Sequence, residues 1–208
     1  MHPNQAFRGV EDKRNLDFAR ERGFGILTIS GAEGPLASHI PFIVADDGAV
    51  VAAHIVRSNP IWRALRGGEA KALIAVSGPD GYVSPDWYGA VDQVPTWNYV
   101  AVNLRGTLRL LDQAALRAHL DDLSARFEIH LAPKPVWHSS KMDQEVMARM
   151  MRTIAPIEMR IEAVHGTWKL NQNKTEDARL GAARAIADSG IGMELKELAA
   201  LMTKPPRD

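Results

Sequence analysis

Between Phe24 and Val56, three runs rich in β-branched and apolar residues follow one another with only a few residues between them: Phe24 to Ser30, Leu36 to Val44 and Val50 to Val56. The separators are Gly31-Ala-Glu-Gly-Pro35 and Ala45-Asp-Asp-Gly48, and the Asp-Gly pair suits the positive backbone angles of a tight hairpin turn. A parallel neighbour needs a crossover of about a dozen residues or more, which these spacings do not provide. The chain therefore begins as an antiparallel meander, and any fold assigned to it must contain one.

The rest of the chain continues in that style. A charged stretch from Glu11 to Arg22 reads as a surface helix stopped by Gly23, and Asn59-Pro60 reads as the cap and first residue of another. Lys71 to Ser77 is an apolar strand, Gly78-Pro-Asp-Gly81 reads as a turn, and Tyr82 and Val83 resume the strand. A long strand runs from Trp97 to Leu111, entered through Pro95, and Asp112 caps a helix carrying Leu116, Leu120 and Leu123. Ile129 to Ser140 reads as a loop and Asp143 to Ile154 as a helix. Pro156 to Val164 alternates Ile157, Met159 and Ile161 with Glu158, Arg160 and Glu162, the pattern of a strand with one solvated face. Thr175 to Ser189 and Met193 to Met202 are helices broken at Gly190-Ile-Gly192. Six or seven hairpin-linked strands with helices at the margins predict an α+β domain built on an antiparallel, barrel-like sheet.

Composition limits what such a domain does. The 208 residues carry 25 Lys plus Arg against 25 Asp plus Glu, so no net field draws it to nucleic acid or to an acidic membrane surface. There is no cysteine, hence no disulfide or thiolate chemistry, and the first residues lack a basic segment followed by an apolar run. No apolar stretch approaches spanning length. The expectation is one soluble, cytoplasmic domain over residues 1–208, with C-terminal helices over about 175–202. A Gly-x-Gly-x-x-Gly fingerprint, a Walker loop, a Gly-x-Ser-x-Gly elbow and a His-Glu-x-x-His pair are all missing from the sequence.

Two segments have the chemistry of anion contacts. In Trp168-Lys-Leu-Asn-Gln-Asn173 one cation and three amides fall within five residues, and Lys169 faces away from Trp168 and Leu170 if the segment is extended. A polar strand end running into a helix cap is the alternative reading of those residues. In Arg57-Ser-Asn-Pro60 a cation and a hydroxyl precede a helix start, with a well-capped helix as the alternative. Asn98 and Tyr99 are polar handles on the long strand. His39 and His54 lie on adjacent strands with no third ligand at metal spacing, so a zinc site is not expected.

Taken together, Ser38-His-Ile-Pro41, His54-Ile-Val-Arg-Ser-Asn-Pro60 with Trp62, Gly81-Tyr-Val-Ser-Pro-Asp-Trp-Tyr88, Val94-Pro-Thr-Trp-Asn-Tyr99 and Trp168-Lys-Leu-Asn-Gln-Asn173 resemble the PaiB-type FMN-binding family. The likeness runs from about Phe24 to the helix after Thr175. It departs at Asn171, where serine is expected, and at Ile55-Val56. The resemblance implies a split β-barrel of the pyridoxamine-phosphate-oxidase-like, FMN-binding kind, a homodimer, and FMN held between the subunits. On that footing Lys169 with Gln172, and Arg57 with Ser58 and Asn59, become contacts to the FMN phosphate or ribityl chain. Trp97 and Trp168 would flank the isoalloxazine, with Asn98 beside them. His39, Ile40 and His54 would lie on strands whose backbone bonds the polar edge of the ring.

The family label is negative transcriptional regulator, and a flavin-dependent oxidoreductase or flavin reductase is the alternative. Zero net charge and the want of a convincing helix-turn-helix argue against direct DNA binding, although Gly190-Ile-Gly192 between two helices faintly resembles one.

Overall fold

The computed structural model describes residues 2–206. Among the described residues seven strands form the sheet: β1 (Phe24–Gly31), β2 (Gly34–Val44), β3 (Val50–Val56), β4 (Ala70–Val83), β5 (Thr96–Leu110), β6 (Ile154–Lys169) and β7 (Gly192–Met193). Their spatial order is β1-β2-β3-β6-β5-β4-β7, and a further antiparallel pairing of β1 with β4 returns the sheet on itself. This is the antiparallel split β-barrel of an α+β protein. Among the described residues six α-helices accompany it: α1 (Asp12–Arg22), α2 (Pro60–Leu65), α3 (Leu116–Glu128), α4 (Gln144–Met151), α5 (Glu176–Ile186) and α6 (Leu195–Thr203). Among the described residues no helix is long and apolar enough to cross a membrane.

The chain divides into two compact units. One comprises Met1–Phe18, Val76–Asn103 and Val164–Asp208, the other Ala19–Ala75 and Leu104–Ala163.

In the second unit, β1 and β2 form the expected hairpin in full register, from Phe24 opposite Pro41 to Gly31 opposite Gly34. Its core is the inward face of the strands, with Ile29, Phe42, Val51, Ile74, Leu104 and Met159 each 3% exposed or less. The turn at Asp46-Asp47-Gly48 closes with Gly48 N–H donating to the Ala45 carbonyl at 2.9 Å. β2 and β3 pair only from Phe42–Val44 to Val51–Ala53. Continued in register, the ladder would next require Pro41 opposite His54, and proline has no N–H to donate. The hairpin therefore opens at Pro41, leaving Ser38 to Ile40 on one lip and His54 to Val56 on the other. The opposite edge of β3 is paired with β6 throughout, from Val50 opposite Arg160 to Val56 opposite Ile154.

In the first unit the expectation of a turn at Gly78-Pro-Asp-Gly81 is overturned, because all four residues lie in the uninterrupted strand β4. The glycines are there for close approach. A Cβ on Gly78 would come within 2.6 Å of Phe18 Cζ, and one on Gly81 within 2.8 Å of Leu195 Cδ2 and 2.9 Å of Ile186 Cδ1. The short β7 pairs with Asp80 and Gly81. The segment that includes Trp168 is the end of β6, which runs as one strand well past Val164. α5 starts at the Thr175 cap and packs on α6, with Ala182, Ile186, Leu198 and Met202 fully buried.

Candidate functional site

The opening at Pro41 brings together six of the residues singled out by sequence. Ile40 is buried, whereas His39 beside it is exposed and stacks on Phe24 at a centroid distance of 6.3 Å. Across the opening, Asn59 Nδ2 donates to Ser38 Oγ at 3.1 Å, a side-chain bridge where the backbone ladder has ended. The Asn59 Oδ1 accepts from Ile61 N–H at 2.9 Å, so Asn59 is the expected cap of α2. That bond also occupies the donor a first-turn anion would want, and α2 has only six residues; the contact chemistry here is that of side chains.

Arg57 is half-buried and lies over the Trp62 ring, 5.4 Å from its centroid. Its Nη2 donates to Gln113 Oε1 at 2.5 Å. No carboxylate pairs with Arg57 among the described residues, unlike Arg109 with Glu158 or Lys71 with Glu162. Ser58 next to it is exposed. His54 Nδ1 meets His119 Nε2 at 3.1 Å, one ring donating and the other accepting. Burial lowers the His54 pKa, and burial reinforced by the His54 charge lowers that of His119 to about 4. The pair is neutral at pH 7.

The other unit holds the remaining candidates. Lys169 Nζ donates to Thr96 Oγ1 and, at 2.8 Å, to the Trp97 carbonyl, so its partners are neutral oxygens. Burial, with the nearby charge of Lys174, lowers its pKa. Lys174 is also held by neutral groups, the Gln93 Oε1 at 2.5 Å and the Tyr88 ring at 4.9 Å. Two neighbouring cations that pair with no carboxylate among the described residues leave a charge balance that an anion would complete. Gln172 turns inward: its Oε1 accepts from Leu170 N–H at 2.8 Å and its Nε2 donates to the Trp168 carbonyl at 2.5 Å. Asn171 sits at φ +63°, a left-handed conformation that asparagine tolerates better than most residues, which accounts for an amide at the position where serine was expected.

Trp97 and Trp168 are not equivalent. Trp97 is 47% exposed, with Tyr82 edge-on at 6.4 Å. Trp168 is 2% exposed; its Nε1 donates to Asn15 Oδ1 at 2.8 Å, Phe18 meets it edge-on at 5.4 Å, and Arg14 covers its face. Asn98 is fully buried, its Nδ2 on Met202 Sδ at 3.4 Å and its Oδ1 without a partner in the structure. Gln113, His119 and Thr96 were not singled out by sequence. Lys174 had a visible signal, one residue beyond the Trp168 to Asn173 motif, whereas Gln113 and His119 are ordinary residues at the start and on the face of a helix.

The family model described as "Putative FMN-binding domain" matches residues 1–163. The chain belongs to that family. The matched span contains the Pro41 opening, Arg57 to Asn59 and Gln113, and ends before Trp168. Among curated relatives, the Bacillus subtilis "Protease synthase and sporulation protein PAI 2" is 28% identical over 178 residues, covering 85% of this chain and 84% of the relative. Among solved structures, the FAD and heme binding protein from Mycobacterium smegmatis superposes with a TM-score of 0.56 at 19% identity, over 78% of this chain and 73% of that one. A conserved hypothetical protein from Mycobacterium tuberculosis gives 0.56 at 13% identity, over 81% and 91%. The two structures share the fold, and the family model supports FMN as the cofactor of this one.

The donor set fits that cofactor. A phosphate dianion needs cations that no carboxylate has neutralised together with neutral donors, and Arg57 with Ser58, and separately Lys169 with Thr96, are such groups.

Proposed function

We propose that the chain is a homodimeric, cytoplasmic FMN-binding protein that acts in regulation through its flavin and does not itself read DNA. The observation that carries the cofactor site is the opened hairpin at Pro41, where unpaired strand edges lie beside a guanidinium that has no carboxylate partner. Arg57 with Ser58 in one unit, and separately Lys169 in the other, are the anion contacts. His39 and His54 offer backbone N–H and C=O groups on the two lips, with Ile40 buried beside them, the kind of donor and acceptor pair that a flavin ring edge matches. Trp97 is the indole with an accessible face for a planar ring. FMN, when bound, supplies one- and two-electron redox chemistry, and these residues supply its binding and orientation.

The regulatory reading takes its support from the likeness to the Bacillus subtilis protein named for protease synthesis and sporulation. The reading against direct DNA contact rests on α5. Arg179 there is 8% exposed and donates to the Met202 and Thr203 carbonyls at 2.5 and 2.8 Å, so it caps α6 and is unavailable to a phosphate. Glu176 and Asp177 occupy the first turn of the same helix.

Fluorescence quenching with FMN and with riboflavin tests the cofactor assignment. FMN binds more tightly than riboflavin by at least about tenfold, the size of one charge-assisted bond. Replacing Lys169 with Met narrows the difference. Equal affinity of the unaltered protein for the two flavins would remove the phosphate contacts from the assignment.

A further inference from the structure

Arg57 is a long, flexible cation, and a flexible cation makes a poor anion contact unless something holds it. Three groups of this chain do so. Trp62 lies under the guanidinium, the backbone N–H of Arg57 donates to the Thr153 carbonyl at 2.9 Å, and Gln113 Oε1 accepts from Nη2 at 2.5 Å.

The Gln113 amide has only one workable orientation. Its Nε2 donates to two carbonyls, Met151 at 3.0 Å and Ile154 at 3.3 Å, and exchanging oxygen and nitrogen would set an oxygen against both of them. The Oε1 must then face Arg57. The backbone of Gln113 is fixed in turn, because Asp112 Oδ1 accepts from Ala114 N–H at 2.8 Å and caps the turn that Gln113 begins. A neutral acceptor orders the guanidinium without cancelling its charge, whereas a carboxylate would do both. One N–H is spent on Gln113, and the other side-chain N–H groups of Arg57 make no hydrogen bond among the described residues.

We propose that Gln113 is the positioning residue of the phosphate contact, holding Arg57 in the orientation in which its remaining donors meet the FMN phosphate. The inference rests on the reading that Arg57 is a phosphate contact, and it adds a residue that touches no part of the cofactor. Its effect is confined to the phosphate, so it sets the preference for FMN over riboflavin and leaves riboflavin binding as it is.

The experiment measures FMN and riboflavin affinities of the full chain and of R57A, Q113M, Q113N and the double variant R57A/Q113M, with the melting temperature of each flavin-free protein. Q113M lowers FMN affinity about tenfold at unchanged riboflavin affinity, and Q113M adds little in the R57A background because the two residues act as one unit. Q113N keeps an amide but draws it one methylene back from Arg57, and it decides the matter if Q113M does not fold: FMN affinity falls while riboflavin affinity holds. A ratio of affinities that R57A collapses and that both Gln113 variants spare overturns this inference alone. A ratio that R57A itself leaves unchanged overturns the phosphate reading of Arg57 and this inference with it. Equal losses for both flavins in the Gln113 variants would assign Gln113 to the fold and not to the phosphate.

Discussion

At the scale of single residues, the two tryptophans show how a side chain of one type serves two purposes. Trp168 closes a buried cluster in which Asn15, 1% exposed, spends its Nδ2 on the Val10 carbonyl and its Oδ1 on the indole N–H. Replacing Trp168 with Phe leaves that oxygen without a donor in a dry site, a loss of about 1–3 kcal/mol. The expected outcome in urea unfolding is an unfolding free energy lowered by that amount, read as a lower midpoint at unchanged slope, with FMN affinity of the folded protein within about twofold of the unaltered chain. Trp97→Ala reverses the pattern, with little change in stability and weaker binding of both flavins. A loss of flavin affinity in Trp168→Phe as large as that in Trp97→Ala would return Trp168 to the ring-flanking role. The motif around Trp168 was legible in the sequence, but which of its residues face inward was not, because alternation says only that neighbours face opposite ways.

At the scale of elements, α3 is joined to β3 through the bond between His54 and His119. A ring-to-ring hydrogen bond needs one nitrogen without a proton, so the pair resists double protonation. Both folded pKa values lie below the ordinary 6.5, that of His119 at about 4. As pH falls through 6.5 the unfolded chain takes up protons that the folded pair refuses, so the stability is complete above 6.5 and is lost progressively down to about 4. The loss from the His119 shift is about 3 kcal/mol, seen as a falling melting temperature between pH 7 and pH 4 in calorimetry. His119→Leu should flatten that dependence; a slope equal to that of the unaltered protein would assign it to other groups. β4 supplies the opposite lesson about elements. Gly78-Pro-Asp-Gly81 has turn chemistry in a one-dimensional reading, yet Phe18 and the side chains of α5 and α6 pack where Cβ atoms would be. Local propensity was overruled by tertiary contacts that no window of sequence contains.

At the scale of the whole molecule, charge and exposed apolar side chains make the prediction. Ile129 and Leu131 in one unit, and Val91, Val94 and Trp97 in the other, are between 47% and 83% exposed. Together with the family resemblance they support a second copy of the chain as the partner. Sedimentation velocity at micromolar protein, and an anisotropy titration of a fluorescently labelled duplex from its own genome starting at nanomolar protein, check the oligomeric state and the DNA binding. The protein sediments as a dimer whether or not FMN is bound, and the duplex at physiological salt stays unbound at nanomolar protein, with only the roughly 10⁻⁴ to 10⁻⁶ M affinity of non-specific contact. A monomer would contradict the shared site. Salt-sensitive, sequence-selective binding at nanomolar protein would make the direct repressor the better reading.

The sequence by itself determined the meander from Phe24 to Val56, the long strand after Pro95, the caps at Asn59 and Asp112, the helices near Asp143 and Thr175, and the family, since each of these is written in residues close together in the chain. Only the tertiary structure decided that β2 and β3 part at Pro41, that β4 runs straight through its glycines, and that Gln113 meets Arg57 and His119 meets His54 across more than fifty residues of chain. The physical reason is range. Turn chemistry, caps and periodicity act over a few neighbours, whereas the orientation of a guanidinium or the neutrality of a histidine pair depends on which distant groups the fold packs against it.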